Sequence, residues 1–364
     1  LSSVQPVNAT ANWGTLSLSP TFTGTLHLEK GRAGCDSGNT ALGGATMVEV
    51  NPGAQLLCFT SVDPYNVPIQ IAGSGWGENG YPGALRLAAD RTATWAGNVT
   101  LTANAGIMAQ RGSSFTVSGN ISGAFQCEFY AGDPVADSGT LTIAPTTPNT
   151  YGSTRINGRP NASVIAGNAN AFSSGPLEVA GAILKLNGNS FTFASLSGTG
   201  GAIGNYSPGS PATLTVGDGN STSYSGVIRD GGTDTLSLVK TGSGTLTLTG
   251  ANTYTGNTSV NAGVLAINSA FLADGSTVSI ASGAQIALNT GTAEDTVADL
   301  ILGGVTVPPG TYNSTHGTYG SYFAGTGSIV IVGGYDSWAT DAGLTGANNG
   351  LNDDADNDGT DNLL

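Results

Sequence analysis

Between Gly242 and Gly291 the chain reads GSGTLTLTGANTYTGNTSVNAGVLAINSAFLADGSTVSIASGAQIALNTG. Thr245, Leu246, Thr247 and Leu248 alternate polar with apolar, and so do Thr277, Val278, Ser279 and Ile280. A period of two sends successive side chains to opposite faces, which excludes a helix and marks half-buried strands. Thr-Gly, Ala-Gly, Asp-Gly and Ser-Gly pairs separate these runs, and their glycines supply the positive φ that tight corners require. Strands of about four to six residues joined by sharp turns, with no stretch long enough for a crossover helix, spell a β-solenoid.

The pattern recurs along the chain. Asn252-Thr253-Tyr254-Thr255-Gly256 is echoed by Asn149-Thr150-Tyr151-Gly152, and GTLTL from Gly244 by GTLTI from Gly139. TVSIASGAQIAL from Thr277 matches PLEVAGAILKL from Pro176 and MVEVNPGAQLL from Met47, while SGVI at Ser225 matches SGNI at Ser118. The shared order of these pieces argues for an internal repeat of roughly a hundred residues, larger than the 20 to 50 of one solenoid coil, so that each unit holds several coils.

The run SLVKTGSGTLTLTGANTYTGNTSVNAGVL, Ser237 to Leu265, resembles the autotransporter-associated β-strand repeat of large secreted bacterial proteins. The resemblance is close there, degenerate in the two earlier copies, and touches most of residues 20 to 290. It implies a right-handed parallel β-helix displayed outside the cell as a structural or adhesive protein, with no catalytic residues. It also implies that a signal peptide preceded Leu1. The sequence departs from the family in having no room after the repeats for a membrane barrel of alternating strands.

Composition agrees with a neutral stacked fold. Only 9% of the 364 residues are charged and 57 are glycine, against about 25% charged in ordinary domains. A net charge of -14 with ten Lys plus Arg argues against nucleic acid as a partner and favours calcium or cationic partners. No apolar run reaches the roughly 18 residues that span a membrane. Of the three cysteines, Cys35 and Cys58 lie in one repeat and form the expected bridge, with buried free thiols as the alternative.

Several local signals bear on chemistry. Gly75 to Gly80 satisfies G-x-G-x-x-G, but Pro82 and Gly83 follow where a dinucleotide site needs a helix. Tyr65, Trp76 and Tyr81 offer either a sugar-stacking surface or a corner packed by its own aromatics, the second being favoured. Residues 126 to 138 interrupt the strand rhythm and read as a loop. Glu78, Glu128, Asp133 and Asp137 are the carboxylates open to a polysaccharide lyase or hydrolase, yet their spacing selects no pair. His27 and His316 are too few for a three-histidine zinc site and read as structural or solvent-facing.

Three regions follow. Residues 1–20 form an N-terminal cap or a strand donated to a neighbouring molecule, residues 21–334 the parallel β-helix, and residues 335–364 an acidic tail. GSIVIV, Gly327 to Val332, either closes the core or forms an exposed last rung. In the tail, Asp354, Asp356 and Asp358 with Gly359 match D-x-D-x-D-G, where alternate carboxylates converge on a hard cation, and Thr360 offers its carbonyl at the seventh position. This resembles one partial dockerin-like or thrombospondin type 3-like calcium repeat, without the closing Glu at its twelfth position. Upstream of it, Asp336 caps a short expected helix ending at Gly343. The reading is an all-β extracellular structural protein, binding Ca2+ in its tail and assembling head to tail with itself into a filament. A carbohydrate-binding adhesin and a β-helix lyase or hydrolase are the alternatives.

Overall fold

Leu246 and Leu248 are buried while Thr245 and Thr247 stay half-exposed, as the alternation requires. In a parallel stack each inward residue meets its equivalent on the next turn. Leu246 pairs with Leu265, Leu265 with Ile286, and Ile286 with Phe323. Each such aliphatic side chain removed from water stabilises the stack by about 1.5–3 kcal/mol. The computed structural model describes residues 14–16, 22–36, 41–61, 64–77 and 82–332. Among them the parallel strands stack into a β-solenoid of about 12 turns.

A full turn is seen where Val99–Ala109 is followed by Ser114–Val117, and the next where Ile121–Ala131 is followed by Thr140–Ile143. Val99 pairs with Ile121, Ile107 with Phe129 and Ser114 with Thr140, an offset of about 20 residues, the size of one solenoid coil. The long strands bend midway, so three walls enclose the core: two edges of a twelve-stranded sheet and a seven-stranded sheet beside it. Further along, sheets of seven and five strands carry the stack on, the latter joined to the first sheet through a bridge between Gly198 and Tyr224. Phe129, Tyr151, Phe172, Phe191 and Phe193 fill the interior with ring centroids 5.3–6.3 Å apart.

The sequence echoes have structural counterparts. Asn252 is buried and its Oδ1 accepts the Ile228 N–H at 2.8 Å, while Asn149 is buried and its Oδ1 accepts the Ile121 N–H at 2.6 Å. SGVI and SGNI therefore each present an isoleucine amide to the asparagine of the following turn. Tyr254 and Tyr151 are buried next to them, hydrogen-bonded to Thr258 and Thr154 at 2.8 and 3.0 Å. The asparagines replace a backbone partner at corners where the ladder is broken, so each buried amide keeps its bond.

Lys240 uses a cation for the same purpose. It is buried, and its ammonium donates to the carbonyls of Thr241, Gly242 and Ala262, satisfying all three protons and tying two turns together.

Three expectations are corrected or resolved. Residues 126 to 131 are not loop: they continue the strand Ile121–Ala131, and the rhythm breaks only because a register shift between Gly123 and Gln126 inserts extra residues at the bend. Cys35 and Cys58 are register partners on adjacent strands, yet they are free thiols, as is Cys127. Ser328–Ile331 is not an exposed rung, because Glu294–Val297 pairs with one edge and Gly310–Tyr312 covers the other in antiparallel sense. Gly14–Leu16 pairs in parallel with Gly31–Cys35 of the same chain, while the rest of residues 1–20, read as a cap or a donated strand, lies outside the described residues.

Candidate functional site

The bend between the two edges of the twelve-stranded sheet is where the outer surface opens. Its register shifts fall between Ile71 and Gly73 on one turn and between Gly123 and Gln126 two turns later. Ladder disruption of this kind re-aims side chains and is common beside binding sites. Here it leaves a cleft of about 240 Å³ lined by Gly73, Ser74, Asn104, Gly106, Gln126 and Glu128.

Glycines at the cleft are required by close approach. A Cβ at Gly106 would lie 3.2 Å from the Gly83 backbone, and Gly73 has φ 78. Asn104 Oδ1 accepts the Gln126 N–H at 3.0 Å, which orients its amide along the wall. Glu128 accepts from Asn157 at 2.7 Å and lies 3.4 Å from Arg155, which is also paired with Glu178 at 3.2 Å. Phe125, the neighbour of Gln126 in the chain, is 39% exposed. Carboxamides and a fixed carboxylate form a set that hydrogen-bonds polar ligands.

The aromatic group expected around Trp76 is divided by the fold. Tyr65 is buried and stacks on Trp95 inside the core, centroids 5.4 Å apart, so it cannot meet a sugar. Trp76 is half-buried and lies against the Arg32 guanidinium at 5.2 Å. Tyr81 and Glu78 lie outside the described residues.

The other candidate carboxylates do not converge. Asp133 is wholly buried, paired with Arg111 at 3.0 Å and accepting the Val135 N–H, while Asp137 accepts from Arg159 at 2.8 Å. Each joins one turn to a neighbour, so none is placed opposite Glu128 as an acid–base partner. His27 faces Glu49 at 2.6 Å, and His316 stacks on Tyr312 with its Nδ1 accepting the Tyr319 N–H. Among the described residues no cluster of three or more His, Cys, Asp or Glu could hold a metal. Asp354, Asp356, Asp358 and Thr360 lie outside the described residues, as does the expected helix from Asp336.

Residues 238–267 match the family model described as passenger-associated-transport-repeat. The chain carries this repeat. The matched stretch holds Lys240, Asn252, Tyr254 and Thr258, the side chains that fix the corners of successive turns. The repeat match supports a secreted, cell-surface location for this chain. It is also 38% identical over 202 residues to "Adhesin BmaC autotransporter" of Brucella suis biovar 1 (strain 1330), a match covering 54% of this chain and 5% of the relative. No solved structure matches the chain. No helix among the described residues is long and apolar enough to cross a membrane.

The sequence reading missed Asn104, Phe125 and Gln126. Gln126 opens the stretch 126 to 138 that reads as a loop, Phe125 lies just before it within the register shift between Gly123 and Gln126, and Asn104 carries no local signal.

Proposed function

We propose that this chain is part of a surface-displayed adhesin, a rigid solenoid that presents the Asn104–Gln126–Glu128 cleft to glycans on another surface. The observation that carries the reading is the cleft itself: Asn104 fixed by the Gln126 amide and Glu128 fixed by Asn157 and Arg155, facing one opening. Preorganisation matters, since side chains already fixed lose little entropy on binding. The similarity to a relative named as an adhesin supports the same reading and favours binding over catalysis. The test is a glycan array probed with the purified chain, followed by titration of each hit against Asn104→Ala/Gln126→Ala. Loss of the hits in the variant supports the cleft, and unchanged hits sink it.

A second reading, head-to-tail assembly, is favoured at one end. Gly14–Leu16 is the terminal strand of its sheet among the described residues, leaving an edge able to pair with another chain. At the other end Gly310–Tyr312 would have to leave Ser328–Ile331 first. Sedimentation velocity across a wide concentration range tests this, and a monomer throughout counts against it.

Calcium binding by Asp354, Asp356, Asp358 and Thr360 is proposed from the spacing alone. Calorimetric titration with CaCl2, repeated on Asp356→Ala/Asp358→Ala, tests it. Heat absent from the parent chain would dismiss it.

A further inference from the structure

The corner between the twelve-stranded and seven-stranded sheets holds a second groove, of about 540 Å³, remote in sequence from the cleft. Three of its lining residues are glycines that cannot be anything larger. A Cβ at Gly158 would lie 2.0 Å from the Ala131 carbonyl oxygen, one at Gly181 2.4 Å from that of Gly158, and one at Gly201 2.6 Å from that of Ala182. Turns approach so closely here that side chains are excluded, and a trough runs along the stack.

Cations stand at its ends. Arg159 lines one end, half-exposed, with Nε donating to Asp137 at 2.8 Å. Arg229 lines the other, and its Nε is buried with no acceptor. Behind Arg229, Lys185, Gly204 and Arg229 lie in register on successive turns, and the Tyr206 ring folds over Gly204. Lys185 Nζ is 5.0 Å and Arg229 Cζ 5.5 Å from the ring centroid, so both cations lean on one π face system.

This arrangement is built against resistance. Tyr206 has φ 60, a left-handed conformation that a bulky residue adopts only when its surroundings impose it. Gly204 and Gly231 make space for its ring, since a Cβ at either would lie 2.6 Å from a ring carbon. Asp230, the neighbour of Arg229, is turned to the Leu236 and Thr255 amides and to the Thr255 hydroxyl. Among the described residues no carboxylate forms an ion pair with Lys185 or Arg229. A chain with ten Lys plus Arg and a net charge of -14 thus places two of its cations on one groove, with Lys185 behind one of them.

We propose that this groove binds an acidic polysaccharide, its carboxylate or sulfate groups meeting Arg159 and Arg229 while the glycine-lined trough holds the chain between them. Ser163, Ile183, Ala202 and Val227 are register partners, so the turns that carry the two arginines lie three apart, roughly 14 Å along the stack axis at the spacing of paired strands. That span suits a polymer with spaced charges. The floor of small residues and backbone between the arginines offers an extended chain a path and no deep apolar pocket for peptide side chains. Arginine's planar fork matches the carboxylate and sulfate oxygens. The proposal builds on the adhesin reading and assigns it a second surface and a charged ligand class.

The test is calorimetric titration of the whole chain with polyglucuronate oligomers and with their methyl esters, and in parallel with dextran sulfate and dextran. The expected result is binding of a charged polymer at least tenfold tighter than of its uncharged counterpart, and a further tenfold loss in Arg159→Gln/Arg229→Gln. The polymer preferred identifies the anion. Because Arg229 packs on Tyr206, Ala180→Phe, which adds bulk to the trough and leaves both arginines in the sequence, is the second variant and is expected to lose binding too. Circular dichroism melts check that both variants fold. Equal binding of charged and uncharged polymers, no binding of either charged polymer, or undiminished binding by both variants overturns the proposal. If glycan-array hits depend on Asn104 and Gln126 while the charged polymers fail, the adhesin reading stands and this one falls.

Discussion

The Tyr254 hydroxyl lies 2.8 Å from Thr258 Oγ1 in the interior, and the equivalent Tyr151 hydroxyl lies 3.0 Å from Thr154 Oγ1 a hundred residues earlier. Both pairs are buried, so each hydroxyl depends on the other. Tyr254→Phe alone leaves Thr258 with an unpaired polar atom and should destabilise the chain by about 1–3 kcal/mol. Adding Thr258→Val removes the orphan and should recover much of that loss. A double-mutant cycle in urea checks this, and additive losses would show that the pair is not coupled.

Asn252 bridges two turns by accepting from Ile228 and donating to the Gly250 carbonyl at 3.1 Å. Asn252→Ala leaves a buried amide without an acceptor, at a cost of about 1–3 kcal/mol. Amide exchange at Ile228 should accelerate well beyond the global effect, because the opening is local. Protection at Ile228 equal to that of the parent would contradict the assigned bond.

Burial sets the alkaline limit of the fold. It pushes the Cys58 thiol up to about 12 and raises Cys35, Cys127, Tyr151, Tyr224 and Tyr254 as well. Unfolded thiols titrate near about 8.5, so the unfolded chain loses protons first, and stability present below that pH is lost as pH rises towards the folded values. Lys240 runs the other way. Burial lowers its folded pKa, so the unfolded chain binds more protons between the two values and stability from this group rises with pH. One lysine opposes several thiols and phenols, and the melting temperature should fall steadily above about pH 8.5. A flat or rising profile to pH 11 would refute the sign.

Cys35, Cys58 and Cys127 are fully buried free thiols. A thiol reagent added to the native chain should react negligibly in minutes, and in denaturant it should titrate all three. One reactive thiol after unfolding would instead reveal a bridge between Cys35 and Cys58, which their shared register brings together.

Much of the architecture was legible because alternation is local. Thr245 to Leu248 shows which residues point inward with no knowledge of any neighbour, and the N-T-Y echoes mark equivalent corners. What depends on the next turn was hidden. Tyr65 reads as a loop aromatic, but its place on Trp95 follows from the turn stacked above it. The bulge at Gly123 to Gln126 breaks the alternation as a loop does, and only pairing with Val99–Ala109 and Thr150–Gly158 shows a continuous strand. Ser328–Ile331 has the composition of an exposed apolar rung, and nothing in it announces that Gly310–Tyr312 returns to cover its edge. The Tyr206 sandwich is likewise assembled from three turns.

The most direct test of the central claim is equilibrium binding of the fluorescently labelled chain to surfaces bearing the glycans that the array identifies, compared with Asn104→Ala/Gln126→Ala of matched stability. The account predicts saturable binding by the parent and an affinity at least tenfold weaker in the variant. Binding that never saturates, or that the variant reproduces unchanged, would contradict it.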